Sequence, residues 1–169
     1  ESAKLIKDKL PNAQFIISKP SSVGNAVYNA LLTRTGIQAS VIESMQYDCL
    51  NVADFVLVAS GTATLETAVM GKPNVVIYKM GLLTYLLYRP QVKTPFIGME
   101  NIVLGKEIAP EFIQGRAKPK LIASRALEIF VDKNRLSELK EDFLKLRDVL
   151  GQNNASRRAA EAILSFMEK

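Results

Sequence analysis

Phe55-Val56-Leu57-Val58-Ala59 is an unbroken apolar run, long enough for a strand and too short for an ordinary helix. A strand apolar on both faces belongs inside a parallel sheet covered by helices. The run ends in Ser60-Gly61-Thr62-Ala63-Thr64, five residues with nothing larger than a hydroxyl or a methyl. Leu65 to Met70 reads as helix, Gly71-Lys72-Pro73 stops it, and Asn74 to Tyr78 is a second apolar strand. The stretch therefore predicts a βαβ unit with a tight turn of small residues.

A turn of this kind opens onto a helix start. The first amides there lack intrahelical partners and carry about half a positive charge. Small residues let an anion approach the backbone, so a phosphate is the natural guest, at the end of the sheet where ligands collect. Thr62 and Glu66 are four residues apart and share one side of the helix. A diphosphate at Thr62 leaves Glu66 one turn away, within reach of the hydroxyls of an attached ribose. The plainer reading is that Thr62 caps the helix and Glu66 complements its positive end.

Strands and helices alternate on both sides of this unit. Ser2–Leu10 reads as an amphipathic helix, Gln14–Ser18 as a strand, Asn25–Leu32 as a helix and Ala39–Ile42 as a strand. A helix from about Gln46 to Val52 leads into the central unit. The fold class expected is α/β, a doubly wound parallel sheet with extra C-terminal helices. Pro95–Met99 reads as a last short strand, and the chain is expected to turn helical from Ile108, beginning with Pro110–Gln114. Helices then follow at Pro119–Phe130, Arg135–Leu150 and Ala155–Met167. This gives a Rossmann-like domain over 1–130 and C-terminal helices over 131–169.

Composition narrows the chemistry. The 169 residues contain no histidine, which removes the commonest general base and metal ligand, so neither a metal nor a cofactor is expected. Net charge +5 permits an acidic partner, but the charge is dispersed and no nucleic-acid motif is present, so nucleic acid is not expected. Arg157-Arg158 reads as solvated surface. A single cysteine, Cys49, fits a reducing compartment and a buried small side chain. No run is apolar for the roughly 18 residues that span a bilayer, and no signal peptide is visible.

Several blocks carry a resemblance. Ser60-Gly61-Thr62-Ala63-Thr64-Leu65-Glu66, Val75–Met80, Leu83-Thr84-Tyr85, Val92-Lys93 and Asn101–Glu107 together resemble lipid-A-disaccharide synthases, over roughly residues 1–130. The resemblance implies the C-terminal half of a glycosyltransferase of the two-Rossmann-domain (GT-B) type, binding a UDP-sugar donor. Ser60, Gly61, Thr62 and Ala63 would hold the diphosphate, and Glu66 the ribose. Main-chain groups of Ile42 and Glu43 would hold the uracil, the alternative being a plain strand-to-helix connection. Asn101 would meet the phosphate or sugar, in a motif where this chain has Glu100 for proline and Lys106 for arginine; its plainer reading is a turn or cap residue.

The resemblance also implies a strand and a glycine-rich loop upstream, and an N-terminal domain carrying the lipid acceptor and the catalytic carboxylate. The chain is accordingly expected to be a fragment, inactive alone, from a cytoplasmic enzyme peripheral to the inner membrane. Gly81–Val92 is the most apolar segment, read either as a patch meeting a membrane or acyl chains, with Arg89 and Lys93 toward headgroups, or as a helix packed on the sheet. The apolar face of the last helix (Ala159, Ile163, Phe166) calls for a partner, and a homo-oligomer is one way to supply it. Other readings are a different UDP-sugar transferase or epimerase, or a non-catalytic nucleotide-binding or dimerisation module.

Overall fold

The structure is a computed structural model that describes residues 1–88, 94–151 and 155–167. Helix α1 (Ser2–Lys9) leads to strand β1 (Ile16–Lys19), then α2 (Asn25–Thr35), β2 (Ser40–Glu43) and α3 (Gln46–Val52). The central unit follows as β3 (Val56–Ala59), α4 (Thr62–Val69) and β4 (Asn74–Tyr78). Next come α5 (Leu82–Tyr88), α6 (Met99–Leu104), β5 (Glu111–Ile113), α7 (Pro119–Val131), α8 (Lys133–Leu150) and α9 (Ala155–Met167).

All strand pairs are parallel, but they form two sheets, β1-β2 and β3-β4-β5. Ile16 on β1 and Leu57 on β3 are exposed, at 45% and 39%.

The core lies on the three-stranded side. Val75 of β4, Ile108 and Phe112 pack with Ala68 of α4, Ile122 and Ile129 of α7, and Leu139, Phe143 and Leu146 of α8. Burying each large side chain contributes about 1.5–3 kcal/mol. Residues on both sides of the expected 130/131 division share this core, because α8 packs across α4 and α6. Helices α1, α2 and α3 contain no fully buried residue, so the two-stranded side is thinly covered.

Two expected elements are corrected. Residues 95–98 form no strand, because the amides of Ile97 and Gly98 donate to the Glu111 carboxylate instead of a sheet ladder. Glu111–Ile113 is strand and not helix, since β4 offers it an edge, with Val76 N donating to Pro110 O at 2.9 Å. The chain becomes a single 3₁₀ turn only at Gln114–Arg116.

Candidate functional site

The turn after β3 is built by four hydrogen bonds. Ser60 N donates to Ile77 O at 3.1 Å, which extends the sheet by one residue. Ser60 Oγ donates to Ile97 O at 3.0 Å, tying the turn to the loop before α6. Thr64 Oγ1 donates to Gly61 O at 2.9 Å and accepts from Met99 N at 3.1 Å. Gly61 sits at φ +151°, which disfavours any side chain, although a Cβ there would meet nothing within 4 Å.

Helix α4 starts three residues earlier than its sequence suggests, with Gly61 and not Thr62 at its N-cap. No side-chain oxygen caps this end. Gly61, Thr62 and Ala63 are exposed, and among the described residues the amides of Thr62 and Ala63 have no acceptor. Two free amides at the positive end of a helix, beside open space, form a seat for an anion.

One turn along, Glu66 is half-buried and its Oε2 accepts from Gln46 Nε2 at 3.2 Å. Gln46 opens α3, directly after the loop that leaves β2. This bond brings the 42–45 loop and Glu66 to the same mouth of the sheet, although they hang from different sheets. Ile42 is half-buried near the end of β2. The exposed Glu43 side chain forms an ion pair with the buried Lys19, whose ammonium also donates to Val23 O at 3.2 Å. Ser44 holds φ +56°, an uncommon conformation for a residue with a side chain, while its amide donates to Lys19 O at 3.0 Å.

Asn101 has a different setting from the one its motif suggests. It is fully buried and all four of its hydrogen-bonding positions are taken by the protein. Nδ2 donates to Ala109 O at 2.7 Å and to Glu111 Oε1 at 2.9 Å, and Oδ1 accepts from Ile108 N and Ala109 N at 2.8 and 2.9 Å. A primary amide has two donors and two lone pairs, so nothing is left over for a ligand. Lys106 is likewise engaged elsewhere, with Asp142 of α8 at 2.5 Å.

Sequence reasoning missed Glu111 and Gln114. Glu111 accepts from Ile97 N, Gly98 N and Asn101, and so fixes the loop that Ser60 and Thr64 grip. Gln114 clamps the chain after β4 by donating to Met80 O and accepting from Met80 N, both at 3.0 Å. The available signal was a lone acid inside the apolar run Ile108-Ala109-Pro110-Glu111-Phe112-Ile113, where a charge must find buried partners. Glu100, also missed, is fully buried with neither oxygen hydrogen-bonded. Burial raises its pKa above the ordinary glutamate value; the nearby Thr64 hydroxyl and its own amide oppose this, and the Glu111 charge adds to it.

Exposed leucines mark a second surface. Leu82, Leu83, Leu86 and Leu87 of α5 are 58–74% exposed, so they are not packed on the sheet. Arg89 and Lys93, expected beside them, lie outside the described residues. On α9, Ile163 and Phe166 are exposed at 61% and 82%. Cys49 is half-buried and unpaired. Among the described residues, no group of three or more acidic or cysteine side chains is gathered for a metal, and no helix is long and apolar enough to cross a membrane.

The lipid-A-disaccharide synthetase family matches residues 1–166. The chain belongs to that family. It is 36% identical to the lipid-A-disaccharide synthase of Syntrophus aciditrophicus over 172 residues, covering 100% of this chain and 44% of that protein. It is 34% identical to the synthase of Geobacter metallireducens, again over 100% of this chain and 44% of the relative. The synthase of Neisseria meningitidis is 34% identical, over 97% of this chain and 43% of the relative. The chain thus spans less than half the length of the curated lipid-A-disaccharide synthases it matches. The match to the lipid-A-disaccharide synthetase family includes the 60–66 turn, the 42–45 loop and the buried Asn101–Glu111 network.

Proposed function

We propose that this chain is the donor-holding half of a lipid-A-disaccharide synthase. The whole enzyme would move 2,3-diacylglucosamine from UDP onto 2,3-diacylglucosamine 1-phosphate, releasing UDP and forming a β(1→6) disaccharide. The observation that carries this reading is the uncapped start of α4, with two free amides beside Gly61 and a carboxylate one turn further on. Ser60 to Ala63 would seat the diphosphate and Glu66 would take the ribose hydroxyls by releasing Gln46. Main-chain groups at Ile42 and Glu43 would meet the uracil, which the Gln46–Glu66 bond supports by holding their loop close.

The chemical need is to stabilise a diphosphate as it leaves. Oriented helix amides do this without reorganising during the reaction. Asn101 would serve indirectly, by holding β5 and the loop that steadies the turn. The domain would span 1–130, with 131–169 as helices closing its back.

The split sheet supports a further part of the reading. A strand supplied from outside these 169 residues would fit between β1 and β3, cover Ile16 and Leu57, and deliver its following loop beside the α4 amides. The lipid acceptor and the catalytic base would belong to that missing half. The exposed leucines of α5 would meet acyl chains or the cytoplasmic face of the inner membrane. The exposed face of α9 would dock on the missing half or on a second copy.

Calorimetric titration with UDP, CDP and ADP tests the proposal. UDP-selective binding that Glu66→Ala abolishes supports it, and equal indifference to all three nucleotides refutes it.

A further inference from the structure

Glu100 is a buried acid with no visible reason to be charged. It is fully enclosed at the second position of α6, and neither carboxyl oxygen has a hydrogen-bond donor. The hydroxyl of Thr64 is close, but its proton goes to Gly61 O. Glu111 is also near. A Cβ placed on Gly98 would lie 3.1 Å from Glu111 Oε1 and 3.4 Å from Glu100 Cδ, so the two carboxyl groups flank one point.

A negative charge beside a carboxyl group in a dry site disfavours a second charge there. Glu111 takes amide donors from Ile97, Gly98 and Asn101, whereas neither Glu100 oxygen has one. Among the described residues, no cation acts on Glu100. On α4 the titratable group is Glu66, which is bonded to Gln46. On α8, Asp142 pairs with Lys106 and Lys145, and Arg147 donates to Val69 O.

The consequence reaches the anion seat through two neighbours of Glu100. Met99 N donates to Thr64 Oγ1, and Ile97 O accepts from Ser60 Oγ. We propose that Glu100 is a positioning residue whose enclosed carboxyl group, uncharged, keeps the 60–64 turn in register. Losing its proton drives the carboxylate toward water, draws the start of α6 with it, and loosens the grip on Ser60 and Thr64. The effect on ligand binding rests on the reading of this turn as an anion site; the coupling itself does not.

The test follows backbone amide signals of the 169-residue chain by NMR from about pH 5 to pH 9, with and without UDP, bracketing the ordinary carboxylate range near 4.3 from above. In the unmodified chain the Met99 and Thr64 amides should move together with a midpoint above that range. They should stay still in both Glu100→Gln and Glu100→Pro, the second variant guarding against a fold lost in the first. UDP affinity should fall about tenfold across the same midpoint, the equivalent of one pKa unit, and stay flat in both variants. Amides that do not titrate, or that titrate equally in the variants, overturn the proposal. Amides that titrate in a chain binding no UDP at any pH support the coupling and refute the nucleotide reading instead.

Discussion

Replacing Asn101 by alanine separates a scaffold residue from a ligand contact. The substitution deletes four hydrogen bonds of 2.7–2.9 Å at a site with no solvent exposure. Glu111 Oε1 keeps its bond from Gly98 N, so the orphaned groups are the amides of Ile108 and Ala109 and the carbonyl of Ala109. Each buried group left unpaired costs roughly 1–3 kcal/mol. A water entering the vacated space would recover part of this, which points to the low end, about 3 kcal/mol in all. That is a large share of the roughly 5–15 kcal/mol that holds a domain together. Urea unfolding followed by circular dichroism measures it, with the transition slope expected to stay unchanged. A loss under about 1 kcal/mol, the size of an ordinary surface change, would refute the reasoning. If UDP affinity then collapsed while stability held, Asn101 would be a ligand contact after all.

Two further outcomes follow from the same geometry. Gly61→Ala should cost about 1 kcal/mol from its φ of +151°, and should weaken UDP binding by intruding on the open side of the amides; unchanged affinity would count against the seat. Glu100 sets a pH dependence of stability. Burial raises its pKa in the fold, so its contribution is complete below the unfolded value near 4.3 and is lost as pH rises through the folded value. Glu100→Gln should therefore gain stability over the unmodified chain as pH climbs, measured as a widening gap in urea midpoints, and a constant gap would contradict the assignment.

What could be read in the sequence was local. The run at 55–59 followed by small residues announces a strand and an open helix start, because apolar continuity and side-chain size act within a few residues. The true start of α4 was hidden because Thr62-Ala63-Thr64 has middling helix propensity, and Gly61 as N-cap decides the boundary. Pro95–Met99 looked like a strand on hydrophobicity alone. Its amides go to a carboxylate some fourteen positions away, which no local pattern records. Glu111–Ile113 looked helical after Pro110, and becomes strand only because β4 has an edge to pair. The doubly wound class was legible in the alternation of elements, whereas the division into two sheets was not, because no local pattern records which strands pair. Residue identity at Asn101 suggested a ligand; only the fold reveals that its amide is already saturated.

The central claim is that the α4 amides seat a diphosphate. Titrating the isotope-labelled chain with UDP while following backbone amides tests it most directly. The account predicts that Thr62 and Ala63 shift first and furthest, with Glu66→Ala weakening the response. Shifts confined to other surfaces, with those two amides unmoved at saturating UDP, would contradict it.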